Sequence, residues 1–169
     1  MLKEIKYIQE TADLLFSEQE VEDALDKMAR QINGLLAELN PLALCVMNGG
    51  IVVAGKLITR LTFPLTIDAI NASRYHNQTA GGSIEWVLKP STPLKDRTIL
   101  IIDDILDEGI TLAAIRDYCL EQGVTAIYIA VLMDKNLGHN KPIAADFIAV
   151  VVIDNLCGPV FVILWVSRF

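Results

Sequence analysis

The sequence predicts an α/β fold with a central, mostly parallel sheet covered by helices on both faces. Three observations predict it. Several apolar runs have strand length and no alternation, as strands buried on both faces do. Amphipathic helical stretches separate them. The apolar runs also end abruptly in glycines or carboxylates, as "VMNGG" and "ILIIDDILDEG" (99–109) show.

The first clear element is "SEQEVEDALDKMARQINGLLAEL". Ser17 and Glu20 stand in capping-box spacing, and Val21, Leu25, Met28, Ile32 and Leu36 recur at helical intervals until Asn40 and Pro41 end the helix. "LALCVM" (42–47) is the first buried strand, "NGG" a turn, and "IVVAGKLITRL" a helix with an apolar face; Lys56 on it is read as exposed. "LTIDAINA" (65–72) is the next strand. The polar, glycine-bearing "SRYHNQTAGGSIEW" after it reads as a mobile loop, with a short strand near Ile84 to Val87. "RTILIID" (97–103) and "AIYIAVLM" (126–133) are further buried strands. The helix "ITLAAIRDYCLEQG" between them closes on Gly123, and "DFIAVVVID" (146–154) keeps the strand pattern. With no repeat or composition shift, residues 1–169 read as one domain, long enough to bury about two-thirds of the surface its unfolded chain exposes.

Composition narrows the function. A net charge of −7, with 14 scattered Lys and Arg, argues against nucleic-acid binding, which needs grouped cations. "DFIAVVVIDNLCGPVFVILWVSRF" is apolar, but Asp154, Asn155, Gly158 and Pro159 interrupt it short of the roughly 18–20 residues of a membrane span. Two strands around a turn are expected there. Charged residues break up the apolar positions of "MLKEIKYIQETADLLF", so a signal peptide is not indicated and a cytoplasmic protein is expected. Cys45, Cys119 and Cys157 sit in apolar runs without metal-ligand spacing, which suits buried free thiols. His76 and His139 stand alone as surface residues. Ser73 and Ser83 lack a paired histidine and acid, so hydrolase chemistry is unsupported.

The chemistry concentrates at Asp103, Asp104, Asp107 and Glu108. Ligands of open α/β sheets bind beyond the carboxyl ends of the strands, and these acids occupy that place. Gly109 and Ile110 turn into a helix whose first N–H groups, with the Thr111 hydroxyl, suit an anion. Neighbouring carboxylates suit sugar hydroxyls or magnesium. A plainer reading makes Asp103 and Asp104 solvated loop residues and Asp107 a helix cap.

Two acids, two aliphatics, a third acid, a variable residue, glycine, a variable residue and threonine form a specific string. It resembles the phosphoribosyl pyrophosphate motif of the type I phosphoribosyltransferases, and with Asp107 it points to their hypoxanthine-guanine branch. The resemblance covers roughly residues 42–135. It implies the type I phosphoribosyltransferase fold with a mobile catalytic loop, and transfer of a phosphoribosyl group to a purine. Met47, Asn48, Gly49 and Gly50 resemble the pyrophosphate loop, where one peptide bond is often non-prolyl cis. Ser73, Arg74 and Tyr75 resemble the flexible loop, with Gly81 and Gly82 as hinges and Arg74 placed for pyrophosphate oxygens. Asp103 and Asp104 would take the ribose hydroxyls, directly or through Mg2+. Glu108, Gly109, Ile110 and Thr111 would wrap the 5-phosphate, and Asp107 would exchange the N7 proton of the base. A homodimer or homotetramer is expected, because the apolar first helix and tail leave surface to cover.

Beyond about residue 136 the family pattern is only partly kept. Counting back from Asp146 and Phe147, Ala144 stands where a lysine for purine O6 is expected, and Lys141 is the nearest candidate. Leu156 stands where an aromatic ring should stack on the base, and Ile163 where a late aspartate should fall. Phe161, Trp165 and Arg168 are the available stand-ins. Three activities are therefore compatible with the string: purine salvage with hypoxanthine or guanine, binding of phosphoribosyl pyrophosphate or a nucleotide without turnover, and a preference for xanthine or a pyrimidine.

Overall fold

The structure is a computed structural model that describes residues 15–74 and 84–153. Tyr75, His76, Gly81, Gly82, Ser83, Leu156, Cys157, Phe161, Ile163, Trp165 and Arg168 therefore lie outside the described residues. Among the described residues nine elements follow in order: α1 (Glu18–Leu36), β1 (Leu42–Val46), α2 (Gly50–Ile58), β2 (Thr66–Arg74), β3 (Ile84–Leu88), β4 (Thr98–Leu106), α3 (Ile110–Glu121), β5 (Ala126–Asn136) and β6 (Phe147–Ile153).

The strands form one sheet in the order β3-β2-β1-β4-β5-β6. All neighbours are parallel except β2 and β3, which pair antiparallel through Ser73 with Glu85 and Arg74 with Ile84. Side chains alternate across the sheet, as strand geometry requires. Ala43, Cys45, Leu100, Ile102, Ala130 and Leu132 share a core with α1 and α2. The intervening Leu42, Leu44, Ile99, Ile101, Ile129 and Val131 share another with α3. Leu44, Ile99, Leu100, Ile101 and Ile102 are fully buried, which explains why these strands carry no polar alternation. Each such side chain stabilises the fold by roughly 1.5–3 kcal/mol.

The capping box of α1 is present. Glu20 N donates to Ser17 Oγ at 3.3 Å, and Ser17 N donates to Glu20 Oε2 at 2.7 Å. Val21, Leu25, Met28, Ala29, Ile32 and Leu36 of this helix are all buried, so the chain itself covers most of its apolar stripe, while Leu35 stays exposed. Lys56 is likewise not simply exposed: with Arg60 it pairs with Glu22, binding α2 to α1. Trp86 of β3 packs its ring 4.8 Å from that of Tyr118 of α3, and the Lys89 ammonium lies over both.

Two strands run farther than their sequence suggests. β4 continues through Asp103 and Asp104 to Leu106, because β5 extends beside it and pairs Ile105 with Met133 and Leu106 with Asp134. The acids are thus held on a strand rather than on a loop. Ser73 and Arg74, expected in the flexible loop, lie at the end of β2, where they pair with Glu85 and Ile84 of β3.

Candidate functional site

Because β1 pairs with β2 on one side and with β4 on the other, the winding of the sheet reverses between β1 and β4. Such a reversal opens a crevice at the carboxyl ends of the two strands. Met47 to Gly50 leaves β1 there, and the end of β4 from Asp103 to Leu106 runs there into the turn from Asp107 to Thr111.

The two segments touch. A Cβ added to Gly49 would lie 2.7 Å from both carboxylate oxygens of Asp104. One added to Gly50 would meet the carbonyl oxygen of Ile102 at 2.7 Å and the Cα of Asp103 at 3.1 Å. At Gly50 the obstacles are backbone atoms, so close approach requires glycine there, while a side chain at Gly49 would displace the Asp104 carboxylate. The Met47 amide donates to the Ile70 carbonyl at 2.7 Å, and the Met47–Asn48 peptide is cis, as the resemblance implies for this loop.

Both helices that start in the crevice begin at glycine, Gly49 for α2 and Gly109 for α3, and neither cap makes a side-chain hydrogen bond. α1, whose amino end lies elsewhere, carries the full capping box. The first-turn amides of α3, which include Thr111, therefore face no capping side chain, and no acidic residue lies in that turn to offset its positive end. Gly109 has φ 76°, a left-handed conformation that glycine adopts without strain. The helix cap is thus Gly109, and the plainer reading of Asp107 as the cap does not hold.

Asp103 and Thr98 are the buried polar side chains among the described residues. Burial pushes the Asp103 carboxyl well above the usual carboxylate range, and the charge of Asp104 pushes it further; the Asp104 amide, donating at 2.9 Å, opposes them. A carboxyl so placed is stabilised by a cation or a hydroxyl donor in the crevice. No group of three or more His, Cys, Asp or Glu is arranged for a metal among the described residues. The adjacent pair of Asp103 and Asp104 still fits magnesium, which commonly takes one or two carboxylates and completes its shell with water and substrate phosphate oxygens.

Asp107 is half exposed, and Oδ1 lies 3.4 Å from the ammonium of Lys135. Lys135 is the residue that the sequence reading missed. It follows the apolar run of β5, which was expected to end at Met133, and the lengthening of that strand to Asn136 carries Lys135 up to the crevice. Lys141, the nearest candidate for purine O6, is partly buried. Its ammonium donates to the Leu106 carbonyl and to Asp134 Oδ1, each at 2.6 Å, and its side chain is only 10% exposed. Ala144, at the anticipated lysine position, is exposed. His139 is exposed, 3.6 Å from Glu108 on the rim. Burial raises both the Cys45 and Cys119 thiols to about 11, with Asp103 adding to the effect at Cys45, so neither is a nucleophile at neutral pH.

The family model for the phosphoribosyl transferase domain matches residues 11–159. The chain is 30% identical over 142 residues to the hypoxanthine-guanine phosphoribosyltransferase of Bacillus subtilis, covering 83% of this chain and 79% of that one. It is 30% identical over 135 residues to the enzyme of the same name from Streptococcus pneumoniae, covering 79% and 75%. The solved hypoxanthine-guanine phosphoribosyltransferase of Bacillus anthracis, with a HEPES molecule in its active site, superimposes with a TM-score of 0.77 at 26% identity over 83% of each chain. A hypoxanthine phosphoribosyltransferase from Staphylococcus aureus shares the fold with a TM-score of 0.78 at 22% identity, over 84% of this chain and 78% of that one. With the sheet order, the glycine loop against Asp104 and the string from Asp103 to Thr111, these likenesses lead to one conclusion: the chain belongs to the phosphoribosyl transferase domain family and has the type I phosphoribosyltransferase fold.

Proposed function

We propose that this chain is a purine salvage enzyme that transfers the phosphoribosyl group of phosphoribosyl pyrophosphate to hypoxanthine or guanine. The products are the nucleoside monophosphate and pyrophosphate. The observation that carries the reading is the pair formed by Asp107 and Lys135 beside the amino end of α3. A 6-oxopurine presents an N7–H donor and an O6 acceptor side by side on one edge. A carboxylate and an ammonium 3.4 Å apart are the matching acceptor and donor.

In the reaction the N9 lone pair of the 7H tautomer forms the bond to C1 of the ribose as the C1–oxygen bond to pyrophosphate breaks. The N7 proton passes to Asp107, which acts as general base. Lys135 holds O6. The amides of Glu108, Gly109, Ile110 and Thr111, with the Thr111 hydroxyl, bind the 5-phosphate at the uncapped end of α3. Asp103 and Asp104 hold the ribose hydroxyls and, with substrate oxygens, Mg2+. Magnesium supplies charge neutralisation to the departing pyrophosphate. Met47, Asn48, Gly49 and Gly50 take that leaving group through their backbone, which the absence of side chains at the two glycines permits. Arg74 and Tyr75, at and just beyond the end of β2, are assigned to the loop that closes over the sugar.

A cytoplasmic setting is supported by the free thiols of Cys45 and Cys119. No helix among the described residues is long and apolar enough to cross a membrane. Assembly into a homodimer or homotetramer is supported by Val151 and Ile153, both more than half exposed on β6, the edge strand of the described sheet. The experiment is a spectrophotometric assay with magnesium, phosphoribosyl pyrophosphate and hypoxanthine, guanine or xanthine in turn. Turnover with hypoxanthine or guanine supports the reading, turnover with xanthine alone replaces the substrate, and turnover with none, while phosphoribosyl pyrophosphate still binds, leaves a binding protein.

A further inference from the structure

The phosphate-binding turn from Asp107 to Thr111 must point its amides at an anion, yet few of its own contacts hold it in that orientation. α3 lacks a side-chain cap, Asp107 and Glu108 are exposed, and Gly109 is the residue type with the greatest backbone freedom. Something outside the turn must fix it.

Lys141 is placed to do so. Its ammonium is the donor to the carbonyl of Leu106, the last residue of β4, at 2.6 Å, and Asp134 Oδ1 at the same distance holds the ammonium from the other side. The carbonyl of Leu106 and the N–H of Asp107 belong to one planar peptide and point in opposite directions. An ammonium on the carbonyl therefore fixes and polarises the peptide that leads into the turn, and with it the direction in which the following amides of Glu108 to Thr111 set out. Lys141 also packs beneath the turn: a Cβ on Gly109 would lie 3.6 Å from the Lys141 Cβ, with Ile143 and Leu106 closer still. With a side chain 10% exposed and its ammonium held by two acceptors, Lys141 is committed to this contact rather than to a ligand.

We propose that Lys141 is a positioning residue for the 5-phosphate. It acts through the Leu106 carbonyl to orient and polarise the Leu106–Asp107 peptide, and Asp134 keeps its ammonium in place. The inference rests on the proposed phosphoribosyl transfer only for the identity of the phosphate ester, and a phosphate-binding measurement tests it independently of turnover.

The test uses the full chain with Lys141→Met, the double variant Lys141→Met with Asp134→Asn, and Lys141→Arg. The KM for phosphoribosyl pyrophosphate should rise about tenfold in the single variant, the loss expected from one charge-assisted hydrogen bond, while the KM for the purine moves little. The double variant removes the stranded Asp134 charge and should keep most of that rise. Lys141→Arg should restore most of the affinity. If the double variant instead returns to the parent KM, the effect was repulsion by Asp134 and the proposal fails. It also fails if both KM values and the melting temperature fall out together, or if nothing changes. Should the parent chain turn over no purine, the proposed function fails by itself. Calorimetric titration with phosphoribosyl pyrophosphate and with ribose 5-phosphate then decides the role of Lys141 on the same variants, with an unchanged Kd as the contradicting result.

Discussion

The ammonium of Lys135 stands 3.4 Å from Oδ1 of Asp107, across the end of the two longest neighbouring strands of the sheet. Asp107 follows β4 and Lys135 lies near the end of β5, so the pairing exists because both strands extend past their apolar runs. A donor and an acceptor are thereby fixed side by side where a planar base can read both.

Replacing the base of this pair tests its chemistry. Asp107→Asn keeps the shape and removes the proton acceptor, so kcat should fall by about 10²–10⁴-fold. Phosphoribosyl pyrophosphate binding, measured by calorimetry, should survive. Unchanged turnover would remove Asp107 from the catalytic role.

Replacing the donor tests recognition. Lys135→Met should raise the KM for hypoxanthine and guanine by roughly 10–100-fold, the worth of one hydrogen bond from a charged group. The KM for phosphoribosyl pyrophosphate should stay near its parent value. Discrimination against a 6-aminopurine should narrow, because the ammonium that opposes an amino group is gone. A purine KM that does not move would place O6 elsewhere.

Much of this architecture is legible in the sequence, because burial on both faces leaves stretches such as 99–102 and 129–133 without polar residues. The capping box at Ser17 and Glu20 and the acidic string at 103–111 are equally local signals. Lys135 was not legible: its position depends on how far β5 pairs with β4 and β6, which is set by tertiary packing rather than by the residues at 134–136 themselves. The place of Lys141 was hidden for the same reason, since only the folded chain brings its ammonium to the Leu106 carbonyl. The base-covering residues expected at Leu156 and beyond lie outside the described residues.

The glycine loop makes a steric prediction. Gly50→Ala drives a methyl group against the Ile102 carbonyl and the Asp103 Cα, backbone atoms that cannot swing aside. Stability should fall by about 1–3 kcal/mol, the usual penalty of overpacking. Thermal unfolding measures it, and Gly55→Ala, where nothing lies within 4 Å, serves as the control. Equal melting temperatures would mean that the loop has room the structure denies.

Asp68 gives a pH dependence remote from the crevice. Burial alone would raise its carboxyl, but the amides of Thr92 and Ala69 and the amide and hydroxyl of Ser91 outweigh it and bring the group down to about 2. A carboxylate lowered on folding contributes stability above its unfolded value of 3.8, and that contribution is lost as pH falls from about 4 towards 2. Asp68→Asn should therefore melt below the parent at pH 6, with the gap closing towards pH 2. A gap independent of pH would mean that the carboxylate charge is not what holds the 91–92 turn.

The most direct test of the account is formation of nucleoside monophosphate from phosphoribosyl pyrophosphate and guanine or hypoxanthine, followed by absorbance in the presence of magnesium, on the parent chain beside Asp107→Asn. The account predicts product with the parent and nearly none with the variant, at equal phosphoribosyl pyrophosphate binding. Product from both at the same rate, or from neither while phosphoribosyl pyrophosphate binds, would contradict it.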